Sequence, residues 1–155
     1  MMPAMLTLPG PREWPRPLCS PHEPSAVCRD DAPCSVLLVE DDFIVAGELE
    51  YWLQEAGFHV LGPAATADDA VRLAVETRPR VVVMDIRLAG VRDGIDAAIQ
   101  IYRQVGIRSI FATAHSDPHT IERGKAANPL GWVSKPYSAA TLIERINALF
   151  DAPRR

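Results

Sequence analysis

The chain has 155 residues, which suits one domain of ordinary size. Apolar residues make up 48% and charged residues 23%, close to soluble globular averages and enough for a core. The net charge of -4 gives no reason to expect direct nucleic-acid binding, and no apolar run is long enough to span a bilayer.

The chain begins MMPAMLTLPGPREWP. A basic start followed by an unbroken apolar run is missing, so this is not read as a signal peptide, and the expected location is the cytoplasm. Prolines 3, 9, 11, 15, 17, 21, 24 and 33 interrupt the segment and remove backbone donors. Residues 1–33 therefore read as disordered or extended, or as a translation start assigned too early, rather than as a regulatory arm. All three cysteines, Cys19, Cys28 and Cys34, lie in the first 34 residues. Their odd number and the absence of a CxxC pair point to free thiols rather than a metal or disulfide framework.

From residue 34 to residue 152 the pattern is that of a folded domain. SVLLV (Ser35 to Val39) is a short apolar strand. Phe43 to Ala56 places Val45, Leu49, Trp52, Leu53 and Ala56 on one face of a helix, and Gly57 stops it. His59 to Ala65 is a weaker strand, which Gly62-Pro63 assigns to a sheet edge. Thr66 caps a helix with Ala70, Leu73 and Ala74 inward. Val81 to Met84 is the third strand. Asp93-Gly94 opens a helix with Ile95, Ala98, Ile99 and Tyr102 on one face. Ser109 to Thr113 is the fourth strand, and Asp117-Pro118 starts a weakly patterned helix that runs to about Ala127. Gly131 to Ser134 is the fifth strand. Ser138 caps a last helix with Leu142, Ile143, Ile146, Leu149 and Phe150 inward. Five strand–helix units with short continuous apolar strands imply α/β architecture, a doubly wound three-layer sandwich around a parallel sheet.

In such sheets, sites form at the carboxyl ends of the strands. Strand one ends in Glu40-Asp41-Asp42, strand three in Asp85, strand four in Thr113 and strand five in Ser134-Lys135-Pro136. Clustered carboxylates repel and need a cation. An oxygen-only set with open positions suits Mg2+, which retains waters and favours phosphate oxygens. Lys135 can pair with Asp85 at rest and with a phosphate later, and Thr113 can donate to a phosphate oxygen. An aspartate can itself attack phosphorus to give an acyl phosphate, with the metal and the lysine neutralising the transferring group. Asp42 reads as a helix-start residue favoured by the dipole, and Asp93 as turn chemistry before Gly94. Arg87 and His115 flank the site, either as tuners of water access or as solvated loop side chains.

VLLVEDD, VVVMDIRLAG, FATA and VSKPYS together resemble the motifs of response-regulator (CheY-like) receiver domains of two-component signalling, over about Ser35 to Phe150. The resemblance implies a flavodoxin-like (βα)5 fold with strand order 2-1-3-4-5. It implies that Asp85 is the phosphoacceptor. Mg2+ would be held by Glu40, Asp41, Asp85 and the backbone carbonyl of Arg87. Lys135 would contact the phosphate, with a cis bond to Pro136, and Thr113 would be the switch hydroxyl. Trp132 stands where the family places its switch aromatic, usually a smaller tyrosine or phenylalanine. The phosphoryl donor would be a sensor histidine kinase or a histidine phosphotransfer protein. Output would pass to an unidentified downstream protein through the fourth helix, fifth strand and fifth helix.

Few residues follow the last helix, so the expectation is a stand-alone receiver, a monomer or weak homodimer, and a phosphoacceptor rather than a turnover enzyme. One alternative is a receiver fold acting as a phosphorylation-independent scaffold, although every expected acid, the hydroxyl and the lysine are present. The other is a small magnesium phosphatase. The haloacid-dehalogenase type would want an acid two residues after its nucleophile, where Arg87 stands, and a nucleophile on the first strand rather than the third.

Overall fold

A computed structural model describes residues 33–114 and 117–151. The tail up to residue 32, with Cys19 and Cys28, and His115 lie outside the described residues. Five strands, β1 (Ser35–Val39), β2 (His59–Ala64), β3 (Val81–Asp85), β4 (Ser109–Thr113) and β5 (Gly131–Ser134), form one parallel sheet in the order β2-β1-β3-β4-β5. Five helices connect and follow them: α1 (Phe43–Glu55), α2 (Ala67–Thr77), α3 (Gly94–Val105), α4 (Pro118–Gly124) and α5 (Ala139–Asp151). This is the doubly wound flavodoxin-like arrangement expected from the sequence.

Alternation along the strands divides the core into two layers, because successive side chains point to opposite faces. Leu37, Val39, Val82, Met84 and Phe111 face α2 and α3. Val36, Leu38, Val81, Val83 and Ile110 face the other way, against Leu49 and Leu53 of α1 and Leu142 and Ile146 of α5. Both faces are covered, which is why β1, β3 and β4 read as unbroken apolar runs. Strand β2 is an edge strand, as Gly62-Pro63 suggested. Its pairing with β1 slips by one residue between Leu37–Leu61 and Val39–Ala64, a bulge that contains the proline.

The caps fall where the sequence places them. Thr66 Oγ1 accepts from Asp69 N at 3.1 Å, and Ser138 Oγ accepts from Thr141 N at 3.2 Å. Asp93 and Asp96 form a reciprocal capping box on α3. The expected fourth helix is α-helical only over Pro118–Gly124, continues as a 3-10 turn, Lys125–Ala127, and stops at Asn128 in the left-handed region (φ 46°). Helix α1 corrects its expected face. Ala46, Leu49 and Leu53 are buried, whereas Trp52 is 47% exposed and Ala56 is an exposed C-cap. The helix is apolar around most of its circumference, so periodicity could not single out the inward side.

Helix α3 starts directly against the end of β3. Gly94 N donates to Ile86 O at 2.8 Å, and a Cβ on Gly94 would lie 1.9 Å from the carbonyl oxygen of Asp85. The absence of a side chain there fixes how closely α3 approaches the strand end that carries Asp85.

Two glycines should respond oppositely to alanine. Gly94→Ala should destabilise by about 2 kcal/mol or more through backbone displacement. Gly47→Ala, within α1 and with nothing within 4 Å of the added Cβ, should stabilise by roughly 0.5–1 kcal/mol. Denaturant unfolding of both variants checks this.

Candidate functional site

The sheet delivers four polar ends to one rim. Strand β1 pairs with β3, β3 with β4, and β4 with β5, so Glu40-Asp41, Asp85, Thr113 and Lys135 come from consecutive neighbours. Within the apolar strand run, Asp85 is the last residue of a fully buried β3 and is 6% exposed. Glu40 is 4% exposed, Thr113 5%, while Asp41 is open to solvent. Glu40, Asp41 and Asp85 each offer an oxygen, all within 4.8 Å of one another.

Lys135 joins this cluster from β5. Its Nζ donates to Asp85 Oδ2 at 2.7 Å and to Glu40 Oε2 at 3.1 Å. The Lys135 backbone N donates to Thr113 O at 2.7 Å, and the Lys135-Pro136 peptide is cis. The Arg87 backbone N donates to the second Asp85 oxygen at 3.2 Å, and Asp42 N donates to Glu40 Oε1 at 3.2 Å. Two buried carboxylates thus share one ammonium, which compensates the cost of taking them out of water.

The balance of charge is incomplete. Burial, and then repulsion from Asp85, raises the Glu40 carboxyl above its ordinary value despite the hydrogen bonds from Lys135 and Asp42. Burial works to lower Lys135, but its bonds to Asp85 and Glu40 outweigh this and raise it. One ammonium therefore pairs with two of the three clustered acids and leaves Asp41 beside them unneutralised by it. An oxygen-only set with this residual negative charge fits a hard divalent cation such as Mg2+.

Beside Asp85 lies a cavity of about 150 Å³ lined by Asp85, Ile86, Arg87, Thr113, Ala114, Asp117, Thr120 and Lys135. Asp117 and Thr120 were not anticipated as lining residues. The sequence shows Asp117 as a helix cap, which it is, accepting from Thr120 N at 2.9 Å and Thr120 Oγ1 at 2.6 Å. Its place four residues beyond Thr113 was the available signal. Asp42 caps α1, accepting from Ile44 N at 2.9 Å, in keeping with a helix-start role. Trp132 lies off the cavity. Its ring sits 4.6 Å from that of Phe111, tilted by 31°. A second groove of about 780 Å³ runs between α1 and α5, lined by residues that include Val45, Glu48, Leu49, Trp52, Tyr137 and Ile143, and it shares Lys135 and Ala114 with the small cavity. No described helix is long and apolar enough to cross a membrane.

The family model described as response regulator receiver domain matches residues 36–147. The transcriptional regulatory protein PdtaR of Mycobacterium tuberculosis H37Rv is 34% identical over 114 residues, 74% of this chain and 55% of that protein. The phyllosphere-induced regulator PhyR of Methylorubrum extorquens is 32% identical over 122 residues, 77% of this chain and 45% of that protein. The chain spans about half the length of these curated relatives. Among solved structures, the signal receiver domain of a modulated diguanylate cyclase from Desulfovibrio desulfuricans superposes with a TM-score of 0.69 at 35% identity, covering 76% of this chain and 93% of that one. The chemotaxis protein CheY4 of Vibrio cholerae superposes with a TM-score of 0.70 at 26% identity, covering 76% and 98%.

The raised Glu40 carboxyl predicts a pH signature. A carboxyl raised in the folded state favours folding when protonated. Without divalent cations, the Glu40 contribution should therefore stabilise the protein as pH falls from neutrality towards the range just above 4.5, its ordinary value. Below 3.8 the lowered carboxyls of Asp93 and Asp117 should give the opposite trend. Mg2+ at ten times its dissociation constant should raise neutral-pH stability by about 1.4 kcal/mol in the wild type, and by much less in Asp85→Asn. Thermal melts across pH, with and without Mg2+, check both.

Proposed function

The chain belongs to the response-regulator receiver family, and from that premise we propose that its signalling chemistry runs through Asp85. A phosphoryl group leaves the nitrogen of a phosphohistidine on a sensor kinase or phosphotransfer protein. An Asp85 carboxylate oxygen attacks phosphorus, the P–N bond breaks, and its electron pair stays on the imidazole. The product is an acyl phosphate. The observation that carries this reading is the single ammonium bridging Asp85 at 2.7 Å and Glu40 at 3.1 Å beside a third carboxylate.

Each residue then has a task. Lys135 releases part of its bond to Asp85 and follows the charge to the phosphoryl oxygens. Arg87 N holds one Asp85 oxygen, which leaves the other to act as nucleophile. Glu40, Asp41, Asp85 and the Arg87 carbonyl are the proposed holders of Mg2+, which when bound offsets charge on the transferring group. Thr113 is the proposed hydroxyl donor to the new phosphate, and Trp132 the aromatic that reports its movement. Transfer is stoichiometric, and residues 34–152 form the receiver unit. Output runs through α4, β5 and α5 as a shift between two populations.

The donor is placed at the groove between α1 and α5. Trp52 lines this groove and is 47% exposed, and Phe43, Ile44 and Tyr51 of the same helix are 81%, 69% and 55% exposed. Glu48, Glu50 and Glu55 rim the same helix, which carries no lysine or arginine. A helical donor with apolar anchors and basic flanks fits that surface.

Intact mass after incubation with acetyl phosphate and Mg2+ should show one phosphate adduct on the wild type and none on Asp85→Asn. The absence of an adduct on wild type from both acetyl phosphate and its kinase would favour the scaffold reading. Phe43→Ser and Trp52→Ala should slow transfer from a protein donor about tenfold or more, without changing the acetyl phosphate rate.

A further inference from the structure

Helix α4 is tied down at one end and faces the phosphoryl cavity with the other. Arg123, at its last turn, donates from Nη1 to Asp93 Oδ2 at 2.9 Å and from Nη2 to Asp93 Oδ1 at 3.3 Å and Asp96 Oδ1 at 3.2 Å. These two acids are the capping box of α3, the helix whose first residue, Gly94, abuts the Asp85 carbonyl. The next residue, Gly124, is buried. A Cβ there would lie 2.6 Å from Cη2 of Trp132 and 3.3 Å from Cε2 of Phe111. Gly124 is thus a notch that admits the large indole, and the indole is already packed against β4 while Lys135 still pairs with Asp85. At the other end of α4, Asp117 and Thr120 line the cavity over Asp85. Residues 117, 120 and 124 recur at helical spacing, so one stripe of a short helix meets both the cavity and the indole.

We propose that Arg123 is a positioning residue for phosphoryl acceptance: by clamping α4 to the Asp93–Asp96 cap, with Gly124 seated on Trp132, it holds Asp117 and Thr120 over Asp85 and restrains entry of the phosphoryl group. The moving part of the switch is then α4, not the aromatic ring. Asp117 brings a negative charge to the cavity mouth, where an incoming phosphoryl group is also negative. Hydrogen bonds from Thr120 hold the Asp117 carboxyl below its usual range, so it stays ionised. The Arg123 side chain is 38% exposed and those of Asp93 and Asp96 are 32% and 43%, so the clamp is a modest, salt-sensitive restraint of the kind a switch can release.

The proposal rests on Asp85 as phosphoacceptor, and its test reads the clamp separately. Arg123→Ala should quicken amide exchange across residues 119–124 and speed phosphorylation by acetyl phosphate with Mg2+, each about two- to fivefold. Arg123→Lys, which lacks the planar fork, should fall between. The ratio of variant to wild-type rates should approach one at about 1 M salt, where the ion pair is screened. Asp96→Asn should add little in the Arg123→Ala background. Faster exchange with an unchanged phosphorylation rate, or no change in exchange, overturns the positioning role. If neither protein accepts phosphate from acetyl phosphate or from a kinase, the Asp85 reading fails instead, and unchanged exchange would still refute the clamp.

Discussion

The structure turns on one ammonium placed between two buried carboxylates. Asp85 and Glu40 end strands that are otherwise apolar, and neither would be stable there alone, because an unpaired buried charge is costly. Lys135 makes their burial possible. The pairing is deliberately short of neutral. Three acids cluster around one base, a residual negative charge that fits a hard divalent cation.

The surrounding fold serves to keep this arrangement in register. Strand β3 sits at the centre of the sheet with every residue buried, so Asp85 has little freedom. Gly94 brings α3 onto its carbonyl, and the α3 cap in turn receives Arg123 from α4. A path of direct contacts therefore connects the phosphoacceptor to α4, to Gly124 and to the indole of Trp132. The ion pairs that tie α4 to the α3 cap are partly exposed, at 32–43% for the side chains concerned.

Much of this was legible in the residues. The strands read correctly because apolar runs are bounded by glycine, proline and capping residues, and Thr66, Asp117 and Ser138 cap the helices assigned to them, whereas Asp93, read as turn chemistry, proves to be the cap of α3. The site was legible because charge at the end of a buried strand is chemically conspicuous. The inward face of α1 was not, since Phe43, Ile44, Val45, Tyr51 and Trp52 put apolar residues on several sides and the glutamates between them do not mark one outer face. The seating of Trp132 over Gly124 and the reach of Arg123 to Asp93 were also hidden. They are contacts between elements distant in sequence, and nothing local in Gly124 or Arg123 distinguishes them from ordinary surface helix residues.

The most direct measurement is chemical identification of the phosphorylated side chain. Borohydride reduction of the phosphorylated protein, followed by peptide mass mapping, converts an aspartyl phosphate to homoserine and marks its position. Homoserine at position 85 alone is the result that follows from the pairing of Asp85 with Lys135. Homoserine at position 41, or a phosphate stable to reduction on a hydroxyl or histidine, would contradict it.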